Sequence, residues 1–188
     1  KRELPFFWGG RQTRYTREKK KDFQEIVKIT KLVDDVYKET CPEFYKKHKK
    51  ESKKIIPELK IGKTVFTTCS INKNLRVSAH RDKGDLNEVL SCLLCLGRNF
   101  KGCKLGFPEH KLAVNLEPGD LLLMNSHEIH CNTALKLNKE NSVRYSLVFS
   151  TRKNMHKMKN KVRMNMVADD IYLSDEDFAR YKKLFGKK

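Results

Sequence analysis

Long apolar segments are missing from this sequence of 188 residues. No apolar run approaches the roughly 18 residues that a membrane-spanning helix needs, and no signal peptide is evident. Acidic residues are also few, with 23 Asp and Glu against 41 Lys and Arg, so the net charge is +18. We therefore expect an intracellular protein without a membrane partner, nuclear if its host is eukaryotic.

The positive charge is concentrated towards the two ends of the sequence. Residues 1–63 carry 19 Lys and Arg against 10 Asp and Glu, and residues 151–188 carry 11 against 5. Residues 64–150 are closer to neutral, with 11 against 8. Flanks this basic suit a polyanion, most simply nucleic acid, whose phosphates they would hold while the central part does chemistry. A basic surface that merely keeps the protein soluble is the alternative.

Six cysteines are present, and two of them have the spacing of half a zinc site. These two, Cys92 and Cys95, lie in the apolar segment 89–96, which is typical of a buried strand. Alternation along a strand places the two thiols on opposite faces, so structural zinc is disfavoured. We expect reduced thiols, as in other intracellular proteins.

Helices are predicted at both ends of the sequence. Residues 1–17 form an aromatic and basic arm, and apolar residues three and four apart predict a helix over 18–39. A lysine-rich helix is predicted over 42–54, where the lysines form either a solvated face or a phosphate contact. A last helix begins at Ser174, an N-cap followed by three acidic residues, after a basic loop over 152–163.

Between these helices the periodicity becomes that of short strands separated by turns rich in Gly, Pro and Asn. The predicted strands are 64–71, 76–80, 89–96, 104–107, 111–116, 121–125 and 143–150. Many short strands with evenly placed turns indicate a sandwich or jelly roll. The predicted fold class is therefore α+β, mainly β, in one domain. Its parts are the arm and supporting helices (1–63), the core (64–152), and a basic loop with the last helix (153–188).

His80 and Asp82 form an H-x-D pair, the most informative motif of the sequence. Two residues apart at a strand end, their side chains point the same way. A later histidine would complete the two-histidine, one-carboxylate set that binds Fe(II) on one face and leaves other positions open. His127 and His130 compete for this place, and because they would face opposite sides of a strand, only one should be a ligand.

Arg144 and Ser146 share one face of the predicted strand 143–150, with apolar residues on the other. A charged residue that faces a barrel interior needs a partner. The distal carboxylate of 2-oxoglutarate fits there, bound bidentately by Arg144 and assisted by the Ser146 hydroxyl. Counting in steps of two places Arg76 on the face of His80, either as a second cosubstrate contact or as a surface residue.

Four segments of the core share their pattern with one known family. They are Asn72–Leu86, which contains His80 and Asp82, Lys104–Glu109, Pro118–Thr133, and Arg144–Phe149. Over about residues 60–152 the sequence resembles the TET/JBP family, the ten-eleven-translocation methylcytosine oxygenases and the base-J-binding-protein thymine hydroxylases. The resemblance implies a double-stranded β-helix (jelly roll) with Fe(II), 2-oxoglutarate and O2. It also selects His130 as the distal ligand, beside His80 and Asp82.

The same resemblance implies residues that read a flipped base. The family carries an acidic or amide residue three positions after the H-x-D aspartate, which is Asp85 here. A second base contact corresponds to Arg152, where methylcytosine oxygenases usually carry His, and Ser150 replaces their stacking aromatic. Asp85 suits an exocyclic amine and Arg152 suits O2, N3 or O4. By hydrogen-bond complementarity to these two residues, 5-methylcytosine is the first candidate substrate, followed by thymine and then N6-methyladenine.

Together these features predict a monomeric Fe(II)/2-oxoglutarate dioxygenase that oxidises 5-methylcytosine in DNA to 5-hydroxymethylcytosine, with further oxidation left open. The base would leave the stack to react, and ascorbate is a candidate stimulant. Alternatives on this scaffold are a thymine hydroxylase, an N6-methyladenine demethylase and a hydroxylase of proteins or small molecules. A non-enzymatic basic binding module and a cupin-type metalloenzyme fit less well. A binding module would not need the intact triad of His80, Asp82 and His130. A cupin-type enzyme carries a clustered His-x-His and Glu, which this sequence lacks.

Overall fold

A computed structural model describes residues 12–137 and 140–157. The predicted arm up to residue 11, the end of the basic loop and the helix predicted from Ser174 lie outside these residues. In the described part of the chain, three α-helices precede nine strands: α1 (Arg14–Glu18), α2 (Lys20–Thr40) and α3 (Pro42–Ser52). None of these helices has both the length and the apolar character required to cross a bilayer.

The strands pair in antiparallel fashion throughout the described residues. They are β1 (Thr68–Lys73), β2 (Ser91–Arg98), β3 (Phe100–Gly102), β4 (Leu105–Phe107), β5 (Leu112–Val114), β6 (Leu121–Met124), β7 (Cys131–Asn132), β8 (Leu135–Leu137) and β9 (Val143–Ser150). One sheet has the order β1-β9-β2-β6, a second has the order β5-β4-β7, and β3 pairs with β8. The predicted mainly β architecture with a few helices is confirmed.

Helix α2 packs its apolar stripe against the four-stranded sheet. Val33 and Tyr37 are buried in one cluster with Phe66 and Phe149, because residues three and four apart fall on one side of a helix. Buried Asp34 joins this contact and accepts hydrogen bonds from the Tyr45 hydroxyl (2.8 Å) and the Val65 amide (2.9 Å). The helices and the entry to β1 are thereby held together.

Alternation along the two central strands separates this helix-facing core from a cavity. In β9, Leu147 and Phe149 face the helices, whereas Arg144 and Ser146 line the cavity. In β2, Cys92 belongs to the helix-facing cluster and Cys95 to a second cluster on the other side. All six cysteines are free, so the prediction of reduced thiols agrees with the structure.

Some predicted strands differ from those observed. The segment 76–80 is not a strand: its ladder contact is an isolated bridge between His80 and His130. The strand predicted from residue 64 begins at Thr68, because Thr64 turns the chain by donating its hydroxyl to the carbonyl of Ile61. Strands β3, β7 and β8, of two or three residues each, were not predicted.

Candidate iron and cosubstrate site

The side chains of His80, Asp82 and His130 meet in the folded chain. Nε2 of His80 lies 3.5 Å from Oδ1 of Asp82, and Nε2 of His130 lies 3.9 Å from Oδ2. The three ligand atoms all lie within 4.8 Å of one another. No other His, Cys, Asp and Glu side chains within the described residues form such a group. Two imidazoles and one carboxylate are the donor set of non-haem Fe(II) oxygenases.

Main-chain contacts fix both histidines in a state ready for metal binding. The backbones of His80 and His130 exchange two hydrogen bonds, each 3.0 Å. Nδ1 of His80 lies 2.9 Å from the carbonyl oxygen of Ser78, and Nδ1 of His130 lies 2.8 Å from that of Glu128. A carbonyl only accepts, so each Nδ1 carries a proton, and each Nε2, on the side of Asp82, is the nitrogen that a metal ion would bind.

His127, the competing histidine, lies outside this cluster. It follows β6 in a turn where its backbone amide donates to the Asn125 side chain. Its Nε2 is buried and has no hydrogen-bond partner among the described residues. His127 does not line the cavity that contains the other three residues. The geometry groups His130 with His80 and Asp82, while iron binding by the three stays a prediction.

One cavity of about 320 Å³ contains this cluster and most of the other predicted site residues. Its walls come from both main sheets. The predicted site residues that line it are His80, Asp82, His130, Arg144, Ser146, Asp85 and Arg152. Its apolar walls include Leu93, Leu105 and Val148. Metal donors, a cation and apolar surface therefore converge in one space, as a small-molecule site requires.

Arg144 is the buried cation of this cavity. The residue is 2% exposed, and its guanidinium carbon lies 5.8 Å from the ring centroid of Phe100. Within the described residues its Nε has no hydrogen-bond partner and the side chain forms no ion pair. A buried charge without a counter-charge is costly, so a ligand carboxylate fits this position. Ser146 faces the same space and can add a hydroxyl donor.

Two thiols near Arg144 do not supply that counter-charge. Burial raises the pKa of Cys95, and the nearby Arg144 guanidinium opposes this shift only in part. Burial likewise raises the pKa of Cys103, against the smaller opposing effects of Arg144 and Arg76. Both side chains are therefore neutral thiols at neutral pH.

Asp85 and Arg152 lie in the cavity but contact each other. Nη1 of Arg152 donates to Oδ1 of Asp85 at 3.0 Å, and the hydroxyls of Ser91 and Ser126 both lie 3.4 Å from Oδ2. The guanidinium covers Gly84, where an added Cβ would lie 2.2 Å from Nη2. Asp85 is buried, whereas the Arg152 side chain is 51% exposed. The resemblance implies Asp85 and Arg152 as two separate contacts to the base, but in the structure they form an ion pair with each other.

Arg76 does not take the predicted place beside the cosubstrate. Its exposed side chain donates from Nε to the carbonyl of Asn132 at 3.3 Å. Its sequence neighbours Leu75 and Val77 line the cavity, whereas Arg76 does not. Counting in steps of two fails here because 76–80 is an irregular extended loop rather than a strand.

Three further polar residues of the site escaped sequence reasoning. Ser91 and Ser126 reach Asp85 from distant parts of the chain, and Asn72 donates to the Ser146 hydroxyl at 3.4 Å. A lone serine or asparagine in a strand carries no motif. The signal that could have found Ser91 is its position within the predicted strand 89–96, on the face opposite Cys92.

The chain also matches known proteins. Residues 3–153 match the Tet_JBP model, the oxygenase domain of the 2OGFeDO superfamily. The chain belongs to the TET/JBP family. Thymine dioxygenase JBP1 of Crithidia fasciculata is 33% identical over 137 residues, which are 72% of this chain and 16% of that protein. Bifunctional helicase and thymine dioxygenase JBP2 of Trypanosoma brucei brucei is 36% identical over 138 residues, 71% of this chain and 12% of that protein.

A solved structure shows the same fold. The structure of NgTET1 in complex with 5mC DNA superposes with a TM-score of 0.63 at 16% identity, covering 94% of this chain and 64% of that one. This likeness confirms a TET-like fold. The Tet_JBP match confirms the predicted family, whose superfamily is one of Fe(II)/2-oxoglutarate dioxygenases. The chain spans less than a fifth of the length of the two JBP relatives.

Proposed function

We propose that this TET/JBP domain is an Fe(II)/2-oxoglutarate dioxygenase that oxidises the 5-methyl group of a pyrimidine base in DNA, with thymine as the first candidate. The observation that carries the chemistry is one cavity with both a two-histidine, one-carboxylate cluster and a buried arginine that forms no ion pair within the described residues. The superfamily of the matching domain supports the same reading.

Each part of the reaction has residues suited to it. His80 and His130 would hold the iron through Nε2 and Asp82 through its carboxylate. When bound, iron with 2-oxoglutarate and O2 supplies the oxidising power for hydroxylating an unactivated methyl group. Arg144 would hold the distal carboxylate of 2-oxoglutarate in a fixed orientation, with Ser146 as a second donor. Leu93, Leu105 and Val148 provide apolar surface beside these groups.

We infer that the two main sheets form the double-stranded β-helix predicted from the resemblance. Their antiparallel pairing and the non-sequential order β1-β9-β2-β6 support this topology. The cavity supports it too, because strands of both sheets contribute to its walls. Residues 64–152 would then be the catalytic core, with the preceding helices as its support.

Two observations favour thymine over 5-methylcytosine, which ranks first on sequence alone. The relatives above are named thymine dioxygenases. Asp85 is already engaged by Arg152 and lies near two serine hydroxyls, so it has little capacity left for the cytosine amine. The exposed part of Arg152 retains N–H donors, which match O4 or O2 of thymine.

5-Methylcytosine is the second candidate because of the exposure of Arg152. A half-exposed guanidinium can withdraw from Asp85, and its withdrawal would free Oδ1 to accept from the cytosine N4 amine. Either base must leave the helical stack to enter a cavity of this size.

Mass spectrometry of nucleosides tests the proposal. Duplexes that differ only at one base (thymine, 5-methylcytosine or N6-methyladenine) are incubated with the protein, Fe(II), 2-oxoglutarate and ascorbate. We expect 5-hydroxymethyluracil from the thymine duplex, and no product with Asp82→Ala. A product from 5-methylcytosine alone would reverse the ranking, and succinate release without any oxidised nucleoside would contradict a DNA substrate.

A further inference from the structure

Helix α3 carries a groove of uncompensated positive charge. The lysines that line the groove are Lys38, Lys46, Lys47, Lys49, Lys50 and Lys53. Within the described residues none of these six forms an ion pair, and the single acidic side chain of the lining is Glu43. Lys54, in the turn after this helix, differs because its ammonium group lies 2.7 Å from Glu51.

The spacing of these lysines places their charges side by side. Lys46, Lys50 and Lys53 are four and three residues apart, so they lie on one face of α3, and all three are exposed. Like charges at these spacings repel one another on a helix. The arrangement disfavours the helix and favours an anion that binds several of the lysines at once.

Helix α3 is anchored beside Arg152, which lines the proposed catalytic cavity. Burial, with a contribution from the charge of Lys49, lowers the pKa of Lys60. Lys60 and Arg152 line a second groove, and Arg152 also lines the catalytic cavity. The helix itself is fixed close by, since Nε2 of His48 lies 2.8 Å from the hydroxyl of Thr151, the residue before Arg152.

We propose that Lys46, Lys49, Lys50, Lys53 and Lys60 form a lysine track that binds the phosphate backbone of duplex DNA whose target base enters the cavity. The proposal rests on the proposed function, because it takes the substrate base to be carried by DNA. Phosphate contacts position a duplex without reading its sequence, and unpaired lysines on a helix face suit that role. Their net positive charge complements a polyanion and would exclude an equally basic protein surface.

The salt dependence of DNA binding tests the track. A short fluorescein-labelled duplex is titrated by anisotropy with wild type, with the track variant Lys46→Gln/Lys50→Gln/Lys53→Gln, and with a control variant. The control Lys28→Gln/Lys31→Gln/Lys54→Gln removes the same charge from exposed lysines that pair with Glu25, Asp35 and Glu51. Each lost phosphate contact should reduce the slope of log K against log salt by about 0.9.

We expect the slope of log K against log salt to be smaller by about 2 to 3 in the track variant than in wild type. In the control variant the slope should stay within about 1 of the wild-type value. A second probe locates the contact: neutral methylphosphonates placed around the target base should weaken wild type at a few positions and leave the track variant unaffected there. Thermal unfolding checks that both variants are folded, as expected for exposed side chains.

The outcomes separate this proposal from the proposed function, because binding is measured without turnover. A smaller salt slope in the track variant alone supports the lysine track, even if nucleoside analysis finds no oxidised base. The absence of any oxidised base would overturn the proposed function but not the track. Equal slopes in all three proteins, or no binding of the duplex by wild type, overturn the track even if bases are oxidised.

Discussion

Replacing Arg144 by Met should separate ligand binding from folding. Arg144 is 2% exposed and has an Nε without a hydrogen-bond partner among the described residues. Methionine keeps much of the length and removes the uncompensated charge. We therefore expect the ligand-free variant to be at least as stable as wild type, since replacing a buried charge by an apolar side chain removes a desolvation cost.

The same change should nearly abolish 2-oxoglutarate binding. Loss of one partner of a buried ion pair costs about 3–5 kcal/mol, which at about 1.4 kcal/mol per tenfold is roughly 140- to 4,000-fold in Kd. Calorimetric titration with Mn(II) in place of Fe(II) measures this without turnover. Arg144→Lys should recover only part of the affinity, because an ammonium group lacks the planar fork of guanidinium.

Thermal unfolding provides the second measurement. Ligand at about 100 times Kd stabilises the folded state by about 2.7 kcal/mol, which is about 5–11 °C in Tm for a domain of this size. Wild type should show this shift on addition of metal and 2-oxoglutarate, and Arg144→Met should not. An unchanged affinity in the variant, or a large loss of ligand-free stability, would refute the reasoning.

Three further changes test other parts of the site. Asp82→Ala should abolish stoichiometric Fe(II) binding in equilibrium dialysis while His127→Ala retains it, and the opposite result would reassign the ligand. Gly84→Ala should displace the Arg152 guanidinium, because the new Cβ would lie 2.2 Å from Nη2. This displacement would leave buried Asp85 without its ion-pair partner, so Tm should fall while the preference between thymine and 5-methylcytosine changes; an unchanged preference would count against base reading by Arg152. Burial lowers the pKa of His48 to about 3 from 6.5, so below pH 6.5 the unfolded chain takes up a proton that the folded protein does not. Wild-type unfolding free energy should therefore fall between pH 6.5 and pH 3, by an amount on the order of a few kcal/mol, and His48→Gln should flatten this dependence in denaturant titrations; equal slopes would contradict it.

The elements that follow a clear period were predictable from sequence. Helix α2 and strand β9 have apolar stripes of period 3.6 and 2, and both occur close to their predicted bounds. The face of β9 that carries Arg144 and Ser146 followed from the same alternation. Local sequence determines these features because one buried face decides the register of each element.

Contacts between distant segments were not predictable in this way. An isolated bridge joins His80, in a loop, to His130, the residue before β7. No local pattern in 76–80 distinguishes that loop from a strand. The ion pair of Asp85 with Arg152 joins residues 67 positions apart. His48, with lysines around it in the sequence, is completely buried, and its Nε2 lies within hydrogen-bond distance of the facing Thr151 hydroxyl.

The reciprocal backbone bridge between His80 and His130 has a practical consequence for handling the protein. Both imidazoles are oriented by main-chain hydrogen bonds that need no ion, so the fold itself brings the predicted iron ligands together. In small zinc domains, by contrast, chelation unfolds the chain. Here a chelator should strip the centre without denaturation, and the apoprotein should accept Co(II) or Ni(II) afterwards. Spectroscopically useful, catalytically silent derivatives could then be prepared by simple exchange.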